Sequence, residues 1–347
     1  MATTMAREIG EQPAAVAATL HELLPRLDEL RDVVDGCHHV RFYARGSSDA
    51  AAVYGRYLVE THASLPAALG SPSIATLYGA EHDLSGTVGV FLSQSGATDE
   101  IVSTLNWASA CGAATIAVTN DELSPLAQAA DLAWVTRAGT EHAVPATKTY
   151  TCQMVALALL AEGLRSAPPD AEFLAALGRL PSAISEMLQQ TAAAEATAAL
   201  LRDRRALVVT GRGFTASTAQ EISLKIAETS YRPALGLSAA DLEHGPIAVL
   251  DENSALIVVS AQAGPAHDGL ATIAANAAAR GSLVIGIGGG TTLAKHCQVH
   301  LPCPPLPEEV SPAALVVGGQ LIAEALCRAD GLDPDRPRGL SKVTQTS

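Results

Sequence analysis

Val88-Gly89-Val90-Phe91-Leu92-Ser93 has a counterpart 167 residues later, where Leu256-Ile257-Val258-Val259 ends on Ser260. Both are short, nearly unbroken apolar runs closing on a serine. That is the pattern of a strand buried on both faces of a parallel sheet. The same offset lays Ala44-Arg45-Gly46 over Gly211-Arg212-Gly213, Glu141 over Glu308 and Pro145 over Pro312. It also lays Ile116-Ala117-Val118 over Leu283-Val284-Ile285. One offset held over such a span predicts two copies of a single α/β unit. Differences between the copies then mark where function has been divided.

Working outward, residues 1–34 read as an N-terminal helical segment, with Pro13 near a helix start. Residues 35–165 form the first unit. Its strands are expected at His39–Tyr43, Thr87–Leu92, Ala114–Thr119 and Leu132–Thr136, alternating with helices, the last over Thr147–Leu164. Ser166-Ala167-Pro168-Pro169-Asp170 breaks the pattern and opens a helical connector, 166–204. Residues 205–332 repeat the order. The polar tail, 333–347, carries Pro334 and Pro337 and by itself reads as an unstructured end. The fold class expected is α/β, with two repeated doubly wound parallel-sheet units of flavodoxin-like type.

The 347 residues suffice for two cored domains, and 48% hydrophobic with 17% charged residues describes a globular chain. A formal net charge of −14 argues against nucleic acid and anionic membranes as partners. No signal peptide and no uncharged apolar run of membrane-spanning length is read. The six scattered cysteines suit reduced thiols and a cytoplasmic setting. His296-Cys297-x-x-His300-x-x-Cys303 has ligand-like residue types at a spacing that is not a common zinc pattern, so no metal is assigned. Only four of the 22 basic residues are lysines: 148, 225, 295 and 342. In an Arg- and Ala-rich chain, a surviving lysine marks a place where arginine does not serve.

Two segments could carry chemistry. Ser93-Gln94-Ser95-Gly96-Ala97-Thr98 lies where a strand feeds a helix, the place at which open α/β sheets bind ligands. Its hydroxyls and free N–H groups could surround a phosphate, or it is an ordinary helix cap with a glycine turn. The counterpart, Ser260-Ala261-Gln262-Ala263-Gly264-Pro265, has lost two hydroxyls, and Pro265 has no N–H. In the second copy Glu221, Lys225 and Glu228 share one helical face, either as a site or as a solvated ion-paired stripe. His244-Gly245-Pro246 follows as a polar turn.

Taken together these motifs resemble the sugar isomerase (SIS) superfamily in its tandem form. The likeness covers nearly the whole chain and is nearest to the isomerase half of glucosamine-6-phosphate synthase and to glucosamine-6-phosphate deaminases. Met5-Ala6-Arg7-Glu8-Ile9-Gly10-Glu11-Gln12-Pro13 is similar to the family's opening. Pro337-Arg338-Gly339-Leu340-Ser341-Lys342-Val343-Thr344 is similar to its close. The resemblance implies that Ser48, Ser93, Gln94, Ser95 and Thr98 hold a 6-phosphate. It implies that Arg45, Gly46, Ser47, Glu141, Ala146 and Thr147 line the sugar. Glu228 would be the base for the C2 proton, with Glu221 and Lys225 beside it. His244 would help to open the ring, reaching the neighbouring subunit of a homodimer. Lys342, on a tail that closes the active site, would lie over the open-chain carbonyl. No cofactor is implied.

Departures bear on the reaction. The chain begins Met1-Ala2 without a glutaminase segment, which is not the expectation for a glutamine-dependent synthase. The family's second lysine beside the base is Ala227 here, and its His-Ala-Glu-Ala stretch reads Pro233-Ala234-Leu235-Gly236. Three readings follow: a dehydratase on N-acetylglucosamine 6-phosphate, a glucosamine-6-phosphate deaminase or isomerase, and a sugar-phosphate sensor without catalysis. The lost charges favour the first.

Overall fold

The computed structural model describes residues 2–342. Along the chain, helices α1 (Thr4–Gly10), α2 (Gln12–Leu23) and α3 (Leu27–Val33) precede the first sheet. Its strands are β1 (His39–Tyr43), β2 (Ala67–Leu69), β3 (Thr87–Leu92), β4 (Ala114–Thr119) and β5 (Leu132–Val135), interleaved with α4 (Ser47–Thr61), α5 (Pro72–Thr76), α6 (Asp99–Ala110), α7 (Pro125–Ala129) and α8 (Lys148–Gly163). Helices α9 (Ala171–Gly178), α10 (Leu180–Met187) and α11 (Thr191–Leu201) connect the repeats. The second sheet holds β6 (Ala206–Gly211), β7 (Ala234–Ser238), β8 (Ser254–Ser260), β9 (Leu283–Gly288) and β10 (Val299–Leu301). Its helices are α12 (Phe214–Ser230), α13 (Ala239–Glu243), α14 (His267–Ala279), α15 (Gly290–Ala294) and α16 (Pro312–Ala329).

Both sheets are fully parallel and share one topology, β2-β1-β3-β4-β5 and β7-β6-β8-β9-β10. The expected two flavodoxin-like units are therefore present. Apolar runs without alternation produce this arrangement because helices cover both faces of a parallel sheet. All seven residues of β8 are buried, as are five of the six in β3. The short edge strand β2 is only partly covered.

Sheet register corrects one part of the repeat. Val88 pairs with Ala114, whereas its counterpart Ala255 pairs with Leu283. Ala114 thus corresponds to Leu283, and Ile116 to Ile285, two residues away from the constant offset. A shift of two keeps every side chain on its own face, so the apolar pattern survives it. The preceding crossover absorbs the difference, with α14 one residue longer than α6.

The first βα turn is the same in both copies. Gly46 and Gly213, at φ 57° and 61° with ψ −133° and −127°, precede α4 and α12. Side chains avoid that backbone conformation, so glycine is required at both. Helix α16 packs on α12 so closely that a methyl group at Gly319 would fall 2.1 Å from Ile222 Cγ1. By length and composition α16 could cross a membrane, but 83% of it is buried inside the protein, as a core helix is.

The tail departs from the expectation of an unstructured end as far as it is described. Both carboxylate oxygens of Asp335 accept hydrogen bonds from the backbone N–H groups of Thr4 and Met5, at 2.6 and 2.9 Å. This satisfies free donors at the start of α1. Val343 and Thr344 lie outside the described residues. The chain groups into two compact units, one of residues 14–141, 148–174 and 341–342, the other of residues 2–13, 142–147 and 175–340.

Candidate functional site

In the first unit the loop after β3 is built around Gly96, at φ 61°. A side chain there would fall 2.1 Å from Ser124 Oγ. Asn120 N–H donates to the Gln94 carbonyl at 3.1 Å and Leu126 N–H to the Gly96 carbonyl at 3.0 Å, fixing the loop from beneath. Ser93 Oγ accepts from Gly96 N–H at 3.2 Å and lies 3.3 Å from Thr98 Oγ1. Ser95 Oγ accepts from Ala97 N–H at 3.2 Å. Thr98 occupies the N-cap of α6, yet its hydroxyl makes no capping bond. That oxygen is instead turned toward Ser93 Oγ.

Ser48 stands in the first turn of α4, after the neighbouring strand β1, and donates to Gln153 Oε1 at 3.1 Å. Arg45 joins the two turns by a bidentate bond to Glu100 on α6, at 2.9 and 2.8 Å. Two of its N–H groups are thereby engaged by Glu100, while the loop 93–98 itself offers hydroxyls and amides. Gly46 and Ser47 belong to the same turn. Sequence reasoning missed Glu100 and Gln153. A lone glutamine inside the apolar helix Tyr150–Leu160 was the available signal.

The matching loop of the second copy is filled from within the chain. Ser260 Oγ donates to the next carbonyl, Ala261 O, at 2.9 Å. A side chain at Gly264 would fall 2.2 Å from Glu308 Oε2, so a carboxylate already lies against the loop. Burial, reinforced by the charge of Glu309, holds the Glu308 carboxyl above the usual carboxylate range. A raised carboxyl pKa means that folding disfavours its charged form. Its contribution to stability is whole below the unfolded pKa and is lost as pH rises through the folded value. Glu308→Gln should therefore raise the melting temperature at pH 7, by about a degree or two, and change little near pH 4. A melting series across that range that showed no gain at pH 7 would contradict this.

On α12 Glu221, Lys225 and Glu228 come together and are not a solvated stripe. Glu221 and Lys225 are fully buried, and Glu228 is partly exposed. Lys225 Nζ donates to Glu228 Oε2 and stands 3.6 Å from Glu221 Oε1. One cation thus holds two carboxylates, one buried and one partly exposed. The Thr229 hydroxyl donates to the Lys225 carbonyl at 2.7 Å. Tyr231, in the left-handed conformation, ends the helix, and its hydroxyl accepts from Arg338 N–H of the tail at 2.8 Å. Ala227 lies on α12 beside Glu228, and Leu235 lies half-exposed on β7. His244 follows α13 on the surface, with Nδ1 on the Ala240 carbonyl at 2.7 Å. That bond orients the ring and leaves Nε2 as the outward nitrogen.

Glu141, buried in the first unit, accepts from Thr149 N–H at 3.2 Å, from the Thr149 hydroxyl at 2.6 Å and from Lys342 Nζ at 2.8 Å. Lys342 is thus tied to Glu141. Lys148 Nζ donates to Thr140 O at 2.6 Å. Ala146 and Thr147 fall in the other compact unit, where Gln320 Nε2 donates to the Thr147 carbonyl at 3.3 Å. The residues of 296–303 form no ligand group. His300 binds Gly288 O and Cys297 binds Leu293 O. Burial pushes the thiols of Cys297 and Cys303 up to about 11 and about 12.

The model of the SIS domain matches residues 35–163 and 200–324. The glutamine–fructose-6-phosphate aminotransferase [isomerizing] of Pyrococcus horikoshii is 30% identical over 341 residues, covering 97% of this chain and 57% of that protein. The chain therefore spans little more than half the length of such curated relatives. A Silicibacter pomeroyi DSS-3 structure, provisionally named a phosphosugar isomerase, superposes with a TM-score of 0.83 at 31% identity, covering 96% of this chain and all of that one. The C-terminal domain of glucosamine-fructose-6-phosphate aminotransferase from Francisella tularensis superposes with a TM-score of 0.89, covering 97% and 99%, and at 24% identity supports the fold.

Proposed function

This chain belongs to the SIS domain family, and we propose that it is an amino-sugar 6-phosphate enzyme that opens the sugar ring and removes the C2 proton. The supporting observation is the triad on α12. Glu228 is a carboxylate held by one buried cation and reachable from solvent, as a base for carbon acids must be. In the proposed sequence, the loop 93–98 with Ser48 receives the 6-phosphate, and His244 assists ring opening. The C2 proton of the resulting aldehyde is acidic because the carbonyl stabilises the carbanion.

The leading branch is dehydration of N-acetylglucosamine 6-phosphate. Glu228 takes the C2 proton, the C2–C3 double bond forms, and the C3–O bond breaks, the departing hydroxyl taking back from Glu228 the proton it removed and leaving as water. An amide nitrogen is a poor leaving group, so elimination is its natural outlet. The neutral Ala227 and Leu235, where a group handling ammonia would carry charge, favour this branch. The alternative acts on glucosamine 6-phosphate. There the proton moves from C2 to C1, and the imine hydrolyses to fructose 6-phosphate and ammonia. Mass spectrometry of the two sugars incubated separately with the protein tests the choice. Loss of one water from the acetylated sugar alone supports the lyase. Ammonia and fructose 6-phosphate from the free amine would replace it with the deaminase.

We further propose a homodimer in which His244 serves the site of its partner. Glu228→Gln and His244→Ala chains are each expected to be inactive. Refolded together in equal amounts, they should recover about a quarter of wild-type activity, because half the two-fold dimers then hold one intact site. No recovery on mixing would place His244 in its own chain's site.

A further inference from the structure

Gln153 is buried in α8, 2% exposed, and its side-chain Nε2 has no hydrogen-bond partner. Its other end accepts the proton of Ser48 Oγ at 3.1 Å. Ser48 is itself 8% exposed, and α8 packs along the whole of α4, so the amide cannot turn outward to water. A buried donor left unmade is costly, and more so than an unmade carbonyl acceptor. The hydroxyl is also oriented the wrong way for an anion, since its one hydrogen points away, into Gln153. A phosphate accepts hydrogen bonds and offers none when doubly ionised.

Both observations are resolved by one motion. We propose that Gln153 is a positioning residue of the phosphate cradle, and that in the anion-bound site its amide stands turned over. After a half rotation Nε2 donates to Ser48 Oγ, and the Ser48 proton is released toward the phosphate. The glutamine then fixes the serine as a donor without touching the ligand. Neither aspartate nor glutamate could do this, because a carboxylate only accepts and would hold the serine proton permanently. The second copy has Gln320 eight residues into α16, but there the amide is spent on Gln12 and on the Thr147 carbonyl, and the matching loop is filled from within the chain. The proposal rests on reading Ser48 and residues 93–98 as the phosphate subsite.

Calorimetric titration of the full chain with inorganic phosphate, and with glucosamine 6-phosphate, tests it. Gln153→Met keeps the volume and removes the amide, and should weaken both ligands about tenfold. In a Ser48→Ala background the same change should alter affinity less than about twofold. Gln153→Asn, which withdraws the amide by one methylene, should reproduce the loss, separating the effect from the packing of methionine. An equal loss in both backgrounds would overturn the proposal, because the residue would then act through the fold. Ser95→Ala separates it from the reading beneath it. If that change weakens phosphate and Gln153→Met does not, the subsite stands and the role of Gln153 falls. If neither Ser95→Ala nor Ser48→Ala changes affinity, the subsite falls, and the proposal with it.

Discussion

Glu228→Gln is expected to reduce kcat by at least about a thousandfold, the scale set by losing a positioned base, while sugar-phosphate affinity stays within about threefold. The substitution keeps shape and hydrogen-bonding capacity but cannot take a proton. It should also leave the fold intact, because Lys225 retains Glu221 at 3.6 Å and the pair is then charge-neutral. Lys225→Met is different in kind. It removes the cation that Glu228 and the fully buried Glu221 share, and should cost about 3–5 kcal/mol of stability. Turnover measured beside calorimetric affinity and thermal melting separates the two. An active Glu228→Gln protein would remove the base from this account.

The second large effect belongs to Gly96. Alanine there must adopt a left-handed backbone, costing about 1–2 kcal/mol. Its methyl would lie 2.1 Å from Ser124 Oγ and 2.9 Å from Thr119 Oγ1. Relieving that overlap costs about 1–3 kcal/mol more. The strain falls on the segment that presents Ser93, Ser95 and Thr98. Taken up by the loop, about 3 kcal/mol corresponds to roughly a hundredfold weaker phosphate binding. Titration with inorganic phosphate, beside a melting curve showing a folded protein, would check it. Unchanged affinity would mean that the loop does not hold the anion.

The repeat made the fold legible because strand cores and glycine turns recur under local rules. Gly46 and Gly213 must adopt the same backbone conformation, and β3 and β8 must both be buried, so the sequence retains both signals. The slip at β4 and β9 escaped notice because two residues restore the face of a strand. The α12 triad was visible as a spacing, but its burial was not, since helical periodicity does not say what packs above a face. Contacts between distant segments were hidden altogether. Asp335 meets Thr4 across 331 residues, and nothing local in the tail announces it. Gln153 showed only as a polar residue in an apolar helix, without its partner. Glu308 read as one half of a matched pair, and the structure shows it lying against the loop at Gly264 of its own copy.

The central claim is that this chain removes the proton from C2 of an amino-sugar 6-phosphate. N-acetylglucosamine 6-phosphate and glucosamine 6-phosphate, each carrying deuterium at C2, would be incubated with the wild-type and Glu228→Gln proteins, and the label followed by mass spectrometry and NMR. The account predicts that deuterium leaves C2 of at least one of them with the wild type, more slowly than hydrogen, and stays in place with the variant. Turnover with the deuterium still on C2, or both sugars returned unchanged by a folded wild-type protein, would contradict it.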